Sequence, residues 1–155
     1  MKRAVFLDRD GVLIEDRGYM RDPNDVHLIA GAADALGRLA AEGWLLIVIS
    51  NQSGVGRGLI SVPEMEAVQA RFLELFRGEG VEFTATYICP HAPDAGCECR
   101  KPSPYLLRKA AEEHGIDLAE SWMIGDKESD MGAGAAAGCR TVLFQGGAGW
   151  AEIAL

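Results

Sequence analysis

Short apolar runs alternate along the chain with longer segments whose apolar residues recur every three or four positions. The runs occupy residues 4–7, 45–49, 86–89, 121–124 and 140–144. Largely unbroken hydrophobicity, without an apolar/polar alternation, predicts strands covered on both faces and hence a parallel sheet. The segments between them predict helices. Residues 32–42 place Ala32, Leu36, Leu39 and Ala40 on one stripe. Residues 62–77 follow Ser61 as a cap, carry Pro63 and Glu64 in the first turn, and present Met65, Val68, Phe72, Leu75 and Phe76 as an apolar face. Residues 103–114, with Pro104 in the first turn, stop at Gly115, and residues 128–137 stop at Gly138. No repeat, low-complexity tract or linker interrupts this alternation. It predicts one α/β domain over residues 1–155, a doubly wound, Rossmann-like parallel sheet. Ligands bind such sheets at the carboxyl ends of the strands.

Composition narrows the classes. The 155 residues are 48% hydrophobic and 25% charged, which suits a globular domain and excludes a disordered chain. A net charge of -8 argues against nucleic acid or anionic membrane as a partner, but leaves room for a small phosphorylated substrate held by a few local cations. The longest apolar run in a strand setting, residues 44–49, is far too short to span a membrane. Asp8 halts the apolar stretch that follows Met1-Lys2-Arg3 before it reaches signal-peptide length. A cytoplasmic protein is expected, and a monomer. In that compartment the four cysteines read as metal ligands or core residues, not as disulfides.

The strand ends carry the chemistry. Asp8 and Asp10, in Asp8-Arg9-Asp10-Gly11, follow the first strand as two acids pointing the same way. Ser50-Asn51-Gln52-Ser53-Gly54 follows the second, a hydroxyl and backbone amides fit to hold a phosphate. Lys101, in Arg100-Lys101-Pro102, opens a helix after the third. Asp126, in Gly125-Asp126-Lys127-Glu128-Ser129-Asp130, follows the fourth. Singly, each also reads as a turn, a cap or a solvated charge. Between the third strand and Lys101 stands Cys89-x-His91-x₅-Cys97-x-Cys99. Three thiolates and an imidazole in one short loop match a closed, tetrahedral, structural zinc site. Cys139 lies alone and reads as a core residue.

Asp-x-Asp, Ser, Lys and Asp in this order at successive strand ends resemble the haloacid dehalogenase (HAD) superfamily, specifically its phosphatases, over essentially the whole chain. The resemblance implies an HAD-like fold, with no large cap domain because neither early inter-strand gap is long enough to hold one. It implies Asp8 as nucleophile, forming an aspartyl-phosphate, and Asp10 as the acid that protonates the leaving alcohol and then activates water. Mg²⁺ would be held by Asp8, Asp126, the Asp10 carbonyl and waters, with Lys127 at the same shell. Ser50 and Lys101 would hold the phosphoryl oxygens, and Asp130 would orient Lys101 or a metal-bound water.

The zinc loop is similar to that of two groups, the D-glycero-D-manno-heptose 1,7-bisphosphate phosphatases and the histidinol-phosphate phosphatases. The segment from Asn51, Gln52 and Ser53 to Arg57 and Gly58, the segment Asp16-Arg17-Gly18-Tyr19, and Lys127 resemble the heptose group. These residues, with Arg100 at the sugar or its second phosphate, are the implied substrate contacts. Histidinol phosphate or another small sugar phosphate is the alternative substrate, and an inactive HAD-like binding domain is the non-enzymatic alternative.

Overall fold

The structure, a computed structural model, describes residues 1–145 and 149–155. Its five strands are β1 (Ala4–Leu7), β2 (Leu45–Asn51), β3 (Ala85–Cys89), β4 (Trp122–Gly125) and β5 (Arg140–Leu143). They form one parallel sheet in the order β3-β2-β1-β4-β5. The chain winds outward from β1 through β2 to β3, then returns to lay β4 and β5 on the other side of β1. The topological switch therefore falls between β1 and β4, where open α/β sheets form their ligand crevice.

Alternate residues of the strands feed two separate cores. Val5, Leu7, Leu46, Val48 and Ile124 face the layer of α1 (Ala32–Ala41) and α3 (Val62–Gly78), while α2 (Ser53–Gly56) is a single turn after β2. Ala4, Phe6, Ile47, Ile49 and Met123 face α4 (Tyr105–His114) and α5 (Glu128–Ala137). The central strands β2, β1 and β4 are thus dry on both faces, which is why they read as continuous apolar runs, whereas the edge strands β3 and β5 are half-buried or exposed along most of their length. Each large side chain so buried contributes about 1.5–3 kcal/mol.

The predicted elements form, with local corrections. On α1 the buried stripe is Ala32, Ala35, Leu36 and Leu39, and Ala40 is exposed. At 100° per residue Ala35 and Ala40 flank the Ala32–Leu36–Leu39 stripe on opposite sides, and the core lies on the Ala35 side. On α3 Val68, Phe72 and Phe76 are buried, whereas Met65 and Leu75 are half-buried. The helix opens with a capping box: Ser61 Oγ accepts from Glu64 N at 3.1 Å and Glu64 Oε1 accepts from Ser61 N at 2.9 Å. α4 begins at Tyr105 and not at Ser103. The Ser103 hydroxyl donates to the Glu98 carbonyl (2.6 Å) and accepts from Tyr105 N (3.2 Å), which holds this segment as a turn. Ser121, assigned above to a strand, is fully buried just before β4, and its hydroxyl accepts from Ala4 N at 3.0 Å.

The stretch from β1 to β2 holds only a looped excursion, a 3-10 turn at Pro23–Asp25 and α1. The excursion is tied down by Glu15 N to His27 O (2.9 Å), Ile29 N to Leu13 O (3.0 Å) and Trp150 Nε1 to Val12 O (2.8 Å). Among the described residues no cap domain is inserted, and no helix is long and apolar enough to cross a membrane.

Candidate active site

Asp8 continues the β1–β4 pairing one step beyond the strand, its amide donating to the Ile124 carbonyl at 3.0 Å. This brings it beside Asp126, which follows the last residue of β4. Two glycines make the room. A Cβ at Gly11, whose φ is +89°, would stand 2.2 Å from Asp126 Oδ2, and one at Gly125 would stand 2.3 Å from Asp130 Oδ2.

Lys101 enters this space from the loop before α4. Its ammonium lies 2.9 Å from Asp8 Oδ1, 2.5 Å from Asp130 Oδ1 and 2.8 Å from the Ile49 carbonyl, so all three of its donors are used. Asn51 fixes the lysine backbone, accepting from Lys101 N at 3.1 Å. Asp130 Oδ2 accepts from Lys127 N at 3.1 Å. Burial disfavours the ammonium of Lys101, but Asp8 and Asp130 outweigh it and hold its pKa above the usual lysine range. Burial pushes the Asp8 carboxyl up to about 7. Lys101 pulls it down, while Asp130 and Asp126 add to the rise.

Asp8, Asp126 and Asp130 each bring a carboxylate oxygen within 4.8 Å of the others. Three carboxylates against one ammonium leave the cluster short of positive charge. Asp126 Oδ1 is moreover buried without a hydrogen-bond partner. Hard oxygen donors with an unsatisfied lone pair fit a divalent cation such as Mg²⁺.

A cavity of about 310 Å³ opens over the cluster. Of the residues singled out in the sequence, Asp8, Asp10, Asp16, Gly18, Tyr19, Asn51, Gln52, Ser53, Arg57, Arg100, Lys101 and Lys127 line it. Ser50 does not: it is buried, and its hydroxyl accepts from Gln52 Nε2 at 2.7 Å. Arg17 also departs from expectation. It lies exposed against Glu15, 2.8 Å away, and is not among the residues that line the cavity. Arg57 extends from α2, bonded to Ser53 Oγ at 3.3 Å, with its guanidinium 6.0 Å from the Tyr19 ring. Arg100 Nη1 is buried and has no partner. Ser129 lines the cavity too and was missed. Only its place within the acidic segment after β4 could have flagged it.

Beside the cavity, Cys89, His91, Cys97 and Cys99 gather their ligand atoms within 4.8 Å of one another. His91 Nδ1 lies 3.4 Å from Cys89 Sγ and 3.3 Å from Cys99 Sγ, and the Cys89 and Cys97 sulfurs are 3.6 Å apart. All four cysteines are free thiols. Three sulfurs and one ring nitrogen make a closed set with no vacant position, which fits a tetrahedral metal held for structure. Cys139 is outside this group, buried beside β5, and burial pushes its thiol up to about 12. The Cys/His loop is bound to α2 by Gly56 N to Pro90 O at 2.8 Å, and a Cβ at Gly56 would stand 2.4 Å from Ala92 N.

The chain is similar to known proteins in sequence and in fold. The HAD-hydrolase-like family profile matches residues 98–153. A D-glycero-beta-D-manno-heptose-1,7-bisphosphate 7-phosphatase of Pseudomonas aeruginosa is 39% identical over 149 residues, 96% of this chain and 84% of the relative. The enzyme of the same name from Helicobacter pylori is 43% identical over 133 residues, 85% of this chain and 77% of the relative. Among solved structures, the D,D-heptose 1,7-bisphosphate phosphatase of B. bronchiseptica, crystallised with magnesium and phosphate, superposes with a TM-score of 0.87 at 36% identity, covering 94% of this chain and 81% of that one. Identity of this order along nearly the full length, on a shared fold, establishes that the chain belongs to the phosphatases of the HAD superfamily.

Proposed function

We propose that the chain removes the 7-phosphate of D-glycero-D-manno-heptose 1,7-bisphosphate through an aspartyl-phosphate on Asp8. The observation that carries this reading is the buried cluster of Asp8, Lys101 and Asp130 beside the unpartnered Asp126 oxygen, in a chain 39% identical to a phosphatase named for that substrate.

An Asp8 carboxylate oxygen attacks phosphorus, and the bond from phosphorus to the sugar oxygen breaks. Attack brings an anion against a phosphoryl dianion, so positive charge has to be concentrated there. Lys101 supplies one part of it, fixed in place by Asp130 and by the Ile49 carbonyl. Asp8, Asp126, the Asp10 carbonyl and the Lys127 backbone would hold Mg²⁺, which supplies the remaining charge neutralisation and orients the phosphoryl group. Asp10 gives its proton to the departing sugar oxygen. It then takes a proton from the water that attacks the phosphoenzyme and releases phosphate. The Ser50 hydroxyl would contact a phosphoryl oxygen once Gln52 releases it.

The bisphosphate supplies a second anion, and Arg57, Arg100 and Lys127 around the cavity offer cations for it. Arg100 is favoured, because its buried Nη1 has no protein partner. Zn²⁺ held by Cys89, His91, Cys97 and Cys99 would fix the loop that delivers Arg100 and Lys101.

The test is a phosphate-release screen in Mg²⁺ with both anomers of the heptose bisphosphate, histidinol phosphate and hexose phosphates. The bisphosphate is expected to exceed histidinol phosphate in kcat/KM by at least about tenfold, equivalent to 1.4 kcal/mol. Preference for histidinol phosphate would overturn the substrate and leave the phosphatase standing.

A further inference from the structure

Arg9, the residue between the two acids after β1, is 1% exposed, one of the most deeply buried charged groups in the chain. Packing alone does not call for it, since an apolar side chain would fill the same space without the cost of desolvating a guanidinium. Its neighbours show what holds it. Arg9 Nε donates to Asp10 Oδ1 at 2.8 Å, Nη2 lies 3.4 Å from Asp10 Oδ2, and Nη1 donates to Gln69 Oε1 at 2.9 Å. Gln69, on α3, is itself anchored to Thr86 Oγ1 on β3 at 3.2 Å.

Adjacent side chains on extended backbone diverge, so an Arg9–Asp10 pair requires the chain to turn. It does: the Arg9 carbonyl accepts from Leu13 N at 2.9 Å and Ile14 N at 3.2 Å, with Gly11 in the left-handed region. The planar guanidinium then matches the carboxylate edge-on, as a lysine would not. Gln52 Nε2 reaches Asp10 Oδ2 from the other side at 3.0 Å.

We infer that Arg9 is a positioning residue for Asp10, and that Gln69, from α3, sets the guanidinium that aims the Asp10 carboxyl at the leaving oxygen. The inference rests on the reading of Asp10 as the proton donor. Each carboxyl oxygen has two lone pairs. The grip of Arg9 and Gln52 therefore leaves capacity for the proton that passes to the sugar oxygen as its bond to phosphorus breaks.

Leaving-group dependence tests this. kcat/KM reports the steps up to formation of the phosphoenzyme. p-Nitrophenolate departs without a proton, whereas a sugar alkoxide needs one. Arg9→Met, Gln69→Met and Asp10→Asn are compared on the heptose bisphosphate and on p-nitrophenyl phosphate. General acid catalysis contributes roughly 10²–10⁴-fold, so Asp10→Asn should lose about that factor on the sugar ester and far less on the aryl ester. Arg9→Met should lose at least about tenfold on the sugar ester, part of that same contribution, with the aryl ester changed less than about threefold. Gln69→Met, remote from the cavity, should show the same selective loss to a smaller degree. If Arg9→Met fails to fold, Gln69→Met decides. Equal losses on both esters, or none, in Arg9→Met and Gln69→Met would overturn the inference while a selective loss in Asp10→Asn keeps the proton donor. Equal losses in Asp10→Asn would overturn the donor assignment and the inference together.

Discussion

Lys101 Nζ and Asp8 Oδ1 lie 2.9 Å apart although 93 positions separate them in the chain, and each residue is less than a tenth exposed. Pairing at that depth holds the lysine where a phosphoryl group attached to Asp8 would lie. It also favours the ionised carboxylate, against a burial that favours the protonated form.

Replacing Asp8 with Asn keeps the shape and removes the nucleophilic charge. Steady-state turnover of Asp8→Asn should fall by at least about 10³ in kcat, the scale for loss of a covalent nucleophile. Activity near the wild-type level would rule out the aspartyl-phosphate.

The same variant has an opposite effect on stability. The folded state holds the Asp8 proton more tightly than the unfolded state, with pKa about 7 against 3.8. That contribution is fully present below 3.8 and is lost as pH rises through about 7. In chelator, thermal melts should therefore show Asp8→Asn gaining on the wild type between pH 4 and pH 8. A Tm difference that stays flat across this range would contradict the burial argument.

Protein purified without chelator should contain about one zinc per chain, distinct from exchangeable Mg²⁺, and Cys97→Ser should lose it together with thermal stability, because such a metal adds directly to folding free energy. Metal analysis showing none, or unchanged zinc in Cys97→Ser, would remove the site.

Arg100→Ala should cost the bisphosphate about 1.5–3 kcal/mol of transition-state binding, a ten- to hundred-fold fall in kcat/KM, if its free nitrogen holds the second anion. An aryl phosphate lacks that contact and should be affected less. Equal losses on both would assign Arg100 to the reacting phosphate.

Gly125→Ala should damage activity without touching any reacting group. Its Cβ would come within 2.3 Å of the Asp130 carboxylate, which would have to move off Lys101. Kinetics near wild type would mean that Asp130 tolerates displacement.

Much of this was legible in the sequence because local chemistry and local pattern agree. Strands dry on both faces announce themselves as unbroken apolar runs, and their ends point to Asp8 and Asp126, which the structure brings together, and to Ser50, which it leaves buried under Gln52. The Cys/His loop is a short-range pattern, and Cys89, His91, Cys97 and Cys99 converge as their spacing predicts. What escaped depends on distant partners. Arg9 reads as a spacer between two acids until Gln69 on α3 is seen to hold it. Arg17 reads as a substrate contact, whereas the structure places it against Glu15 and outside the lining of the cavity. The start of α4 was misplaced because a serine followed by proline resembles a cap, whereas Ser103 is bonded backward to Glu98.

The bond from Gly56 N to Pro90 O, with Gln52 N bonded to the Cys89 carbonyl at 2.8 Å, has a consequence for how a substrate enters. It joins the α2 turn to the Cys/His loop at a distance only a glycine permits. The segment carrying Arg57 and the loop carrying Arg100 are therefore joined through the backbone at this point. The lip from Asp16 to Tyr19 is held by less: its residues are all exposed, its internal polar tie is Gly18 N to Asp16 Oδ1, and it meets α2 through the Tyr19 ring against Gly54 and Arg57. Swapping that lip should retune which sugars are accepted, while the joined segments keep their shape.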